Sequence, residues 1–515
     1  MKIPSTEVFD LIKSLDRHEK RYFKMWISRR KEDTQYLSLF DAIDAMERYD
    51  EKELLQKINN PALEKTIKYA KRDLFRVILN SLEYYHESEN VQSRIFKKLK
   101  QFKILLDKGL VSPAGKILNE ARDLALEHEM YPLILEIATL EIQLARRIED
   151  VNQWSSYLKN GKFPHEDYIE HYREYLRLLF IEHEITYHLI SGEYQGNKEK
   201  YNRIKEIAAS LTDAKPKFRD RQTYLKYYHS EFLSNAMVRN WEVASRSMEK
   251  FLGLFEQQSN LMELAGPYLL HLYNYALSGS FTKDYDKALA IRDKAEAFLN
   301  SLPTKLNTFN VQVRFLNIEI IVLTLFVNRL DYVNAIKQGD RIHNSPYFQA
   351  SGTPLKKSMF MTMCVVHFYF GKYKEALGWI NRVVNTGDFN TAIRKDIDLS
   401  ALMVNILIHF ELGNFDLVES LVKSFLRSEK KAEVNDLVSY FLKFCREKLS
   451  KPGITPREVF VEFRDKLLDY QKSDFKTKYI LEDFDFLAWV EAKIDNVPML
   501  EKVKLRKEET AGTTK

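Results

Sequence analysis

Cysteine is nearly absent: two, Cys364 and Cys445, in 515 residues. That excludes a disulfide framework, and without a CxxC pair it excludes a cysteine-built zinc site. Both stand in apolar helical sequence and read as buried free thiols of a reducing compartment. Glycine and proline are also sparse, at 16 and 13, which leaves few points where a helix must stop. No run of period-2 alternation is bounded by turn residues, so a sheet has no raw material. No stretch approaches the ~20 uncharged apolar residues of a membrane span. Behind Met1-Lys2-Ile3-Pro4 no apolar segment follows, so no signal peptide is expected. Taken together, these absences predict an all-α cytoplasmic protein.

Chemistry is equally hard to find. Gly192-Glu193-Tyr194-Gln195-Gly196-Asn197-Lys198 lacks the spacing of a phosphate loop and follows a helix rather than a strand. His183 and His188 are one residue too far apart for a metalloprotease pair, since five residues turn the second imidazole about 140° away. His165 and His171 fare little better. No nucleophile, metal or phosphate motif seeds a pocket, so the chain is expected to be no enzyme, with no cofactor, metal or small-molecule substrate.

What is there is repetition. Gly371 is followed by Tyr373 and Ala376, and the same order recurs at Arg239, Trp241 and Ala244. It returns at Lys283, Tyr285 and Ala288, and at Leu330, Tyr332 and Ala335. Further copies are Gly413, Phe415 and Val418, and Gly109, Val111 and Ala114. Each copy reads as a helix, a tight turn and a second helix.

The turn, the aromatic and the small residue resemble those of tetratricopeptide (TPR) repeats, with Phe360, His367 and Phe368 where that family places first-helix core residues. The small residue lets two helices approach closely and the aromatic fills the wedge beside the turn. The marks Arg239, Lys283, Leu330, Gly371 and Gly413 stand 44, 47, 41 and 42 residues apart, against about 34 in a TPR and about 40–47 in HEAT-type repeats. The aromatic-then-alanine spacing favours the TPR-like reading. The resemblance implies a right-handed superhelix of stacked helix pairs with a concave face lined by first helices. On that face it places candidate groove residues Asn274, Tyr275, Met361, Val365, Phe368, Met403, Leu407 and Phe410. The positions at which the family grips a peptide carboxylate are mostly apolar here, so that clamp is not expected.

Four segments follow: a helical module over 1–95, repeats over 96–450, capping helices over 451–500 and a disordered tail over 501–515. The module carries a basic run from Arg17 to Lys31, seven Lys or Arg against one acidic residue, in a chain of net charge +6. Arg17, Lys20, Arg21 and Lys24 share one helical face, with Arg29, Arg30 and Lys31 behind them. Tyr22, Phe23, Trp26 and Ile27 form an apolar stripe that anchors the helix. The basic line is a solvated face or, as the alternative, a phosphate-contacting surface for nucleic acid. The leading expectation is a scaffold holding a protein or peptide partner in its groove, with no membrane involved.

Overall fold

A computed structural model describes residues 6–28, 34–58, 61–86, 91–147, 151–152, 155, 165–191, 197–213, 216, 220–386, 395–427, 436–449, 457–473 and 484–512. Among them every regular element is helical. Contacts divide the chain into two compact units, Met1–Arg173 and Glu174–Lys515, a division later than the module boundary expected near residue 95.

The first unit begins with five helices: α1 (Glu7–Ser14), α2 (Arg17–Ser28), α3 (Thr34–Asp44), α4 (Glu51–Ile58) and α5 (Pro61–His86). They close around Ile12, Phe23, Phe40, Ile43, Leu54, Leu74 and Ile78. Then come α6 (Val91–Asp107), α7 (Val111–Glu127) and α8 (Tyr131–Arg147), each packed on the next. Helix α9 (Asp167–Ser191) carries the chain from one unit into the other.

The second unit continues with α10 (Lys198–Asp213), then five helix pairs. First helices are α11 (Arg221–Met237), α13 (Ala265–Phe281), α15 (Phe309–Asn328), α18 (Thr353–Tyr369) and α20 (Lys395–Glu411). Their second helices are α12 (Trp241–Phe255), α14 (Tyr285–Ser301), α16 (Tyr332–His343), α19 (Tyr373–Asn385) and α21 (Phe415–Arg427), with a single-turn α17 (Pro346–Gln349) before α18. Each second helix from α12 to α19 packs on the first helix that follows it, and α13, α15, α18 and α20 pack on one another in series. A solenoid is built this way, each repeat burying its apolar faces against its neighbours.

One turn geometry makes every pair. The Gly109 N–H donates to the carbonyl of Leu106 at 3.0 Å, and the Leu110 N–H to that of Leu105 at 2.9 Å. This is the Schellman closure, which satisfies carbonyls that a helix end leaves without partners. The same two bonds recur at Glu129–Met130, Arg239–Asn240, Lys283–Asp284, Leu330–Asp331, Gly371–Lys372 and Gly413–Asn414. The first residue of each has a positive φ, between 51° and 74°. All six turns marked in the sequence are of this type, and Glu129 adds a seventh. Five residues on, Ala114, Ala244, Ala288, Ala335, Ala376 and Val418 are fully buried. The closeness they permit is visible at Gly279, where an added Cβ would lie 3.6 Å from that of Ala288. The aromatics link neighbouring repeats: Trp241 stacks on Phe281 with centroids 4.1 Å apart, and Tyr332 meets Phe370 at 4.9 Å. The long period comes from first helices of 17 to 20 residues and from the added α17.

Helix α15 is long and apolar enough to cross a membrane by length and composition. It is instead the central core helix of the unit, packed by α13, α14, α16 and α18. Cys364 and Cys445 are both buried and unbridged, and burial pushes both thiols up.

The C-terminal expectations need correcting. After α22 (Asp436–Phe444), a π-helical turn (Cys445–Leu449) and α23 (Arg457–Ser473), the chain forms α24 (Phe486–Asp495) and α25 (Met499–Gly512). Residues 501–512 are therefore helical rather than a disordered tail. Burial of Met499 and Val503 and the bond from Lys507 Nζ to the carbonyl of Asn328, 2.6 Å, hold them. Nor do these helices cover only the last repeat. Glu411 at the end of α20 accepts from Trp489 Nε1 and Lys493 Nζ, both at 2.7 Å. The backbone N–H of Asp485 donates to Tyr369 Oη at the end of α18, and Lys507 caps the end of α15. The hairpin thus lies across the ends of three first helices.

Candidate functional site

The candidate groove residues are mostly core. Met361, Val365, Phe368, Met403 and Leu407 are buried in the largest apolar cluster, which corrects their assignment to an open groove. The reason is compositional: α18 and α20 are apolar on nearly every face, and such helices are interior ones. Phe368 packs edge-on to Phe484, and Phe410 to Trp489, so the C-terminal hairpin covers that end. Tyr275 turns toward the second helices, with Lys287 Nζ 4.8 Å over its ring, and burial with the nearby Glu249 raises its pKa. Asn274 is half-buried, in line along α13 with exposed Pro267 and Leu270.

In the first unit the basic line on α2 is partly spent. Lys20 pairs with Asp44 at 2.7 Å and Lys24 with Asp41 at 2.6 Å. Arg17 and Arg21 remain exposed. Arg29, Arg30 and Lys31 lie outside the described residues. Tyr22 and Trp26 pack on Tyr85 and Tyr84 of α5, holding α2 to the module.

A different constellation runs from α9 across the first helices of the second unit. Glu182 of α9 accepts from Lys226 Nζ of α11 and lies against His229 Nδ1 of α11, both at 2.8 Å. An ionised carboxylate only accepts, so His229 carries its hydrogen on Nδ1. Burial disfavours the charged form of Glu182, but the bonds and charges of His229 and then Lys226 outweigh it and hold the carboxyl at about 2. The His229 ring meets that of His271 on α13 edge-on, with centroids 5.1 Å apart. His271 is about nine-tenths buried, against Phe251 and Phe255. That burial, reinforced by His229, pushes its pKa down to about 3, so at neutral pH it is uncharged. Its Nδ1 has no hydrogen-bond partner. Arg314 of α15 completes the row, its guanidinium Nε 3.7 Å from where a Cβ on Gly266 of α13 would stand.

Helix α9 and the first helices α11, α13 and α15 thus contribute one carboxylate, two cations and two imidazoles to a half-buried strip. Lys226 and Arg314 stand against the single carboxylate of Glu182, so the strip is net positive. Half-buried charges of this kind carry a desolvation cost that packing alone does not require. None of these residues stood out in the sequence. A signal existed: Glu182, His229, His271 and Arg314 are 47, 42 and 43 residues apart, close to the repeat itself. Among the described residues no group of three His, Cys, Asp or Glu side chains is placed to hold a metal ion.

No family model matches the chain, and no curated protein matches it. Among solved structures, the apo form of the quorum sensor NprR from B. thuringiensis superposes with a TM-score of 0.43 at 15% identity, over 79% of this chain and 99% of that one. At that distance the fold rests on the packing and turn geometry above.

Proposed function

We propose that this chain is a non-catalytic cytoplasmic scaffold that holds a protein or peptide segment along α9 and the first helices α11, α13 and α15. The observation that carries this reading is the strip from Glu182 through Lys226, His229 and His271 to Arg314. It is polar, repeat-phased and half-buried, on helices whose neighbours α18 and α20 are apolar on most faces. A bound segment would place its backbone amides and carbonyls against Asn274 and the imidazoles, and its apolar side chains against Leu233 and Leu270. The net positive strip favours a segment carrying carboxylates. The neutralised Lys20 and Lys24 give the nucleic-acid alternative no support of its own.

Selection of random peptides displayed on phage against the full chain tests this. The expected outcome is an enriched consensus whose affinity falls at least about tenfold in Arg314→Ala and in Asn274→Ala, with unchanged thermal unfolding. Failure to enrich any consensus, or peptides that bind both variants as tightly as the parent, would overturn the proposal.

A further inference from the structure

Helix α9 is apolar on two opposite faces. One, with Leu178 and Ile185, is buried against Ile204, Ile207, Leu211 and Tyr227. The other carries Leu176, Phe180, Tyr187 and Ile190, which are 42%, 75%, 57% and 79% exposed. Together with exposed His183 they follow a 4-3-4-3 spacing, which keeps side chains on one seam along a helix. A helix apolar on both sides is an interior helix, and a row of large exposed apolar side chains marks an interaction surface.

The residues also indicate what covers it. Leu176 and Tyr187 lie symmetrically about a point between residues 181 and 182, and so do Phe180 and His183. The charges flanking the seam, Arg177 and Glu184, are symmetric about nearly the same point. A two-fold axis there would set Leu176 against the partner's Tyr187 and Phe180 against the partner's His183. It would bring Arg177 beside the partner's Glu184, twice. An isologous dimer needs such a self-complementary patch. We infer that α9 forms the antiparallel centre of an interface between two copies of this chain. The existing pairs, Arg177 with Glu174 and Glu184 with Arg203, are rim contacts that leave the seam apolar.

Sedimentation velocity on the full chain, from about 1 to 100 μM, tests this. The parent is expected to run as a dimer, and Phe180→Glu combined with Tyr187→Glu as a monomer with unchanged helical content and melting temperature. Arg177→Glu should weaken the dimer by about tenfold or more, and adding Glu184→Arg should restore it. A parent that is monomeric throughout, a dimer that survives the two acidic substitutions, or a charge exchange that fails to restore it would each overturn the inference.

Discussion

His229 and Glu182 stand 47 residues apart in the chain and 2.8 Å apart in space, joining α9 to α11 through a half-buried charged contact. Replacing the carboxylate by an amide removes the counter-charge of Lys226 and leaves one acceptor oxygen where Lys226 and His229 each used their own. Glu182→Gln is expected to lower stability by about 1–3 kcal/mol, measured by urea unfolding at pH 7.

Acid should weaken the second unit well before its carboxylates titrate. His271 is held at about 3 in the fold by burial, below its ordinary 6.5. His343, His367 and His409 are lowered too, burial being the first cause in each. The unfolded chain therefore binds protons that the folded chain refuses, so stability is fully present above about 6.5 and falls as pH drops toward 3. Glu182, held at about 2, adds loss in the same direction only below its ordinary 4.5. Urea midpoints should decline between pH 7 and pH 5, and His271→Gln should flatten part of that slope.

The turns predict opposite outcomes for glycine gained and glycine lost. Lys283 is an exposed residue with φ of 60°, a conformation that disfavours any side chain. Lys283→Gly should raise stability by about 1 kcal/mol, and Gly371→Ala, where φ is 69°, should lower it by about as much. Differential scanning calorimetry on the two variants would show melting temperatures shifted in opposite directions.

Close approach inside a pair is the next target. Ala288 is fully buried beside Gly279. Ala288→Leu should cost about 1–3 kcal/mol or more by overpacking, whereas Ala288→Ser should cost less. Reversal of that order in chemical denaturation would mean the helices are not closely apposed there.

The C-terminal hairpin should behave as part of the core. Trp489 is buried and bonded to Glu411. Trp489→Ala should cost about 3–5 kcal/mol, and hydrogen exchange should accelerate at the ends of α18 and α20, not only in α24.

The turns were legible because their cause is local. A positive φ, an aromatic two residues on and a small residue five residues on are requirements of one Schellman closure and one helix crossing, and they appear as residue types at fixed spacing. The all-helical class followed equally from sparse Gly and Pro and missing alternation. The strip of Glu182, Lys226, His229, His271 and Arg314 was not legible, since polar residues on a helix look alike whether they face solvent or one another. Met361 and Met403 show the converse: an apolar stripe on a first helix fits a groove as well as a core. For α18 and α20 the choice lay with the neighbouring repeats and a hairpin more than 70 residues downstream. The chain's local chemistry determined the repeating unit. The long-range stacking of those units decided which faces were buried and which charges met, because burial and charge pairing depend on neighbours that no local pattern specifies.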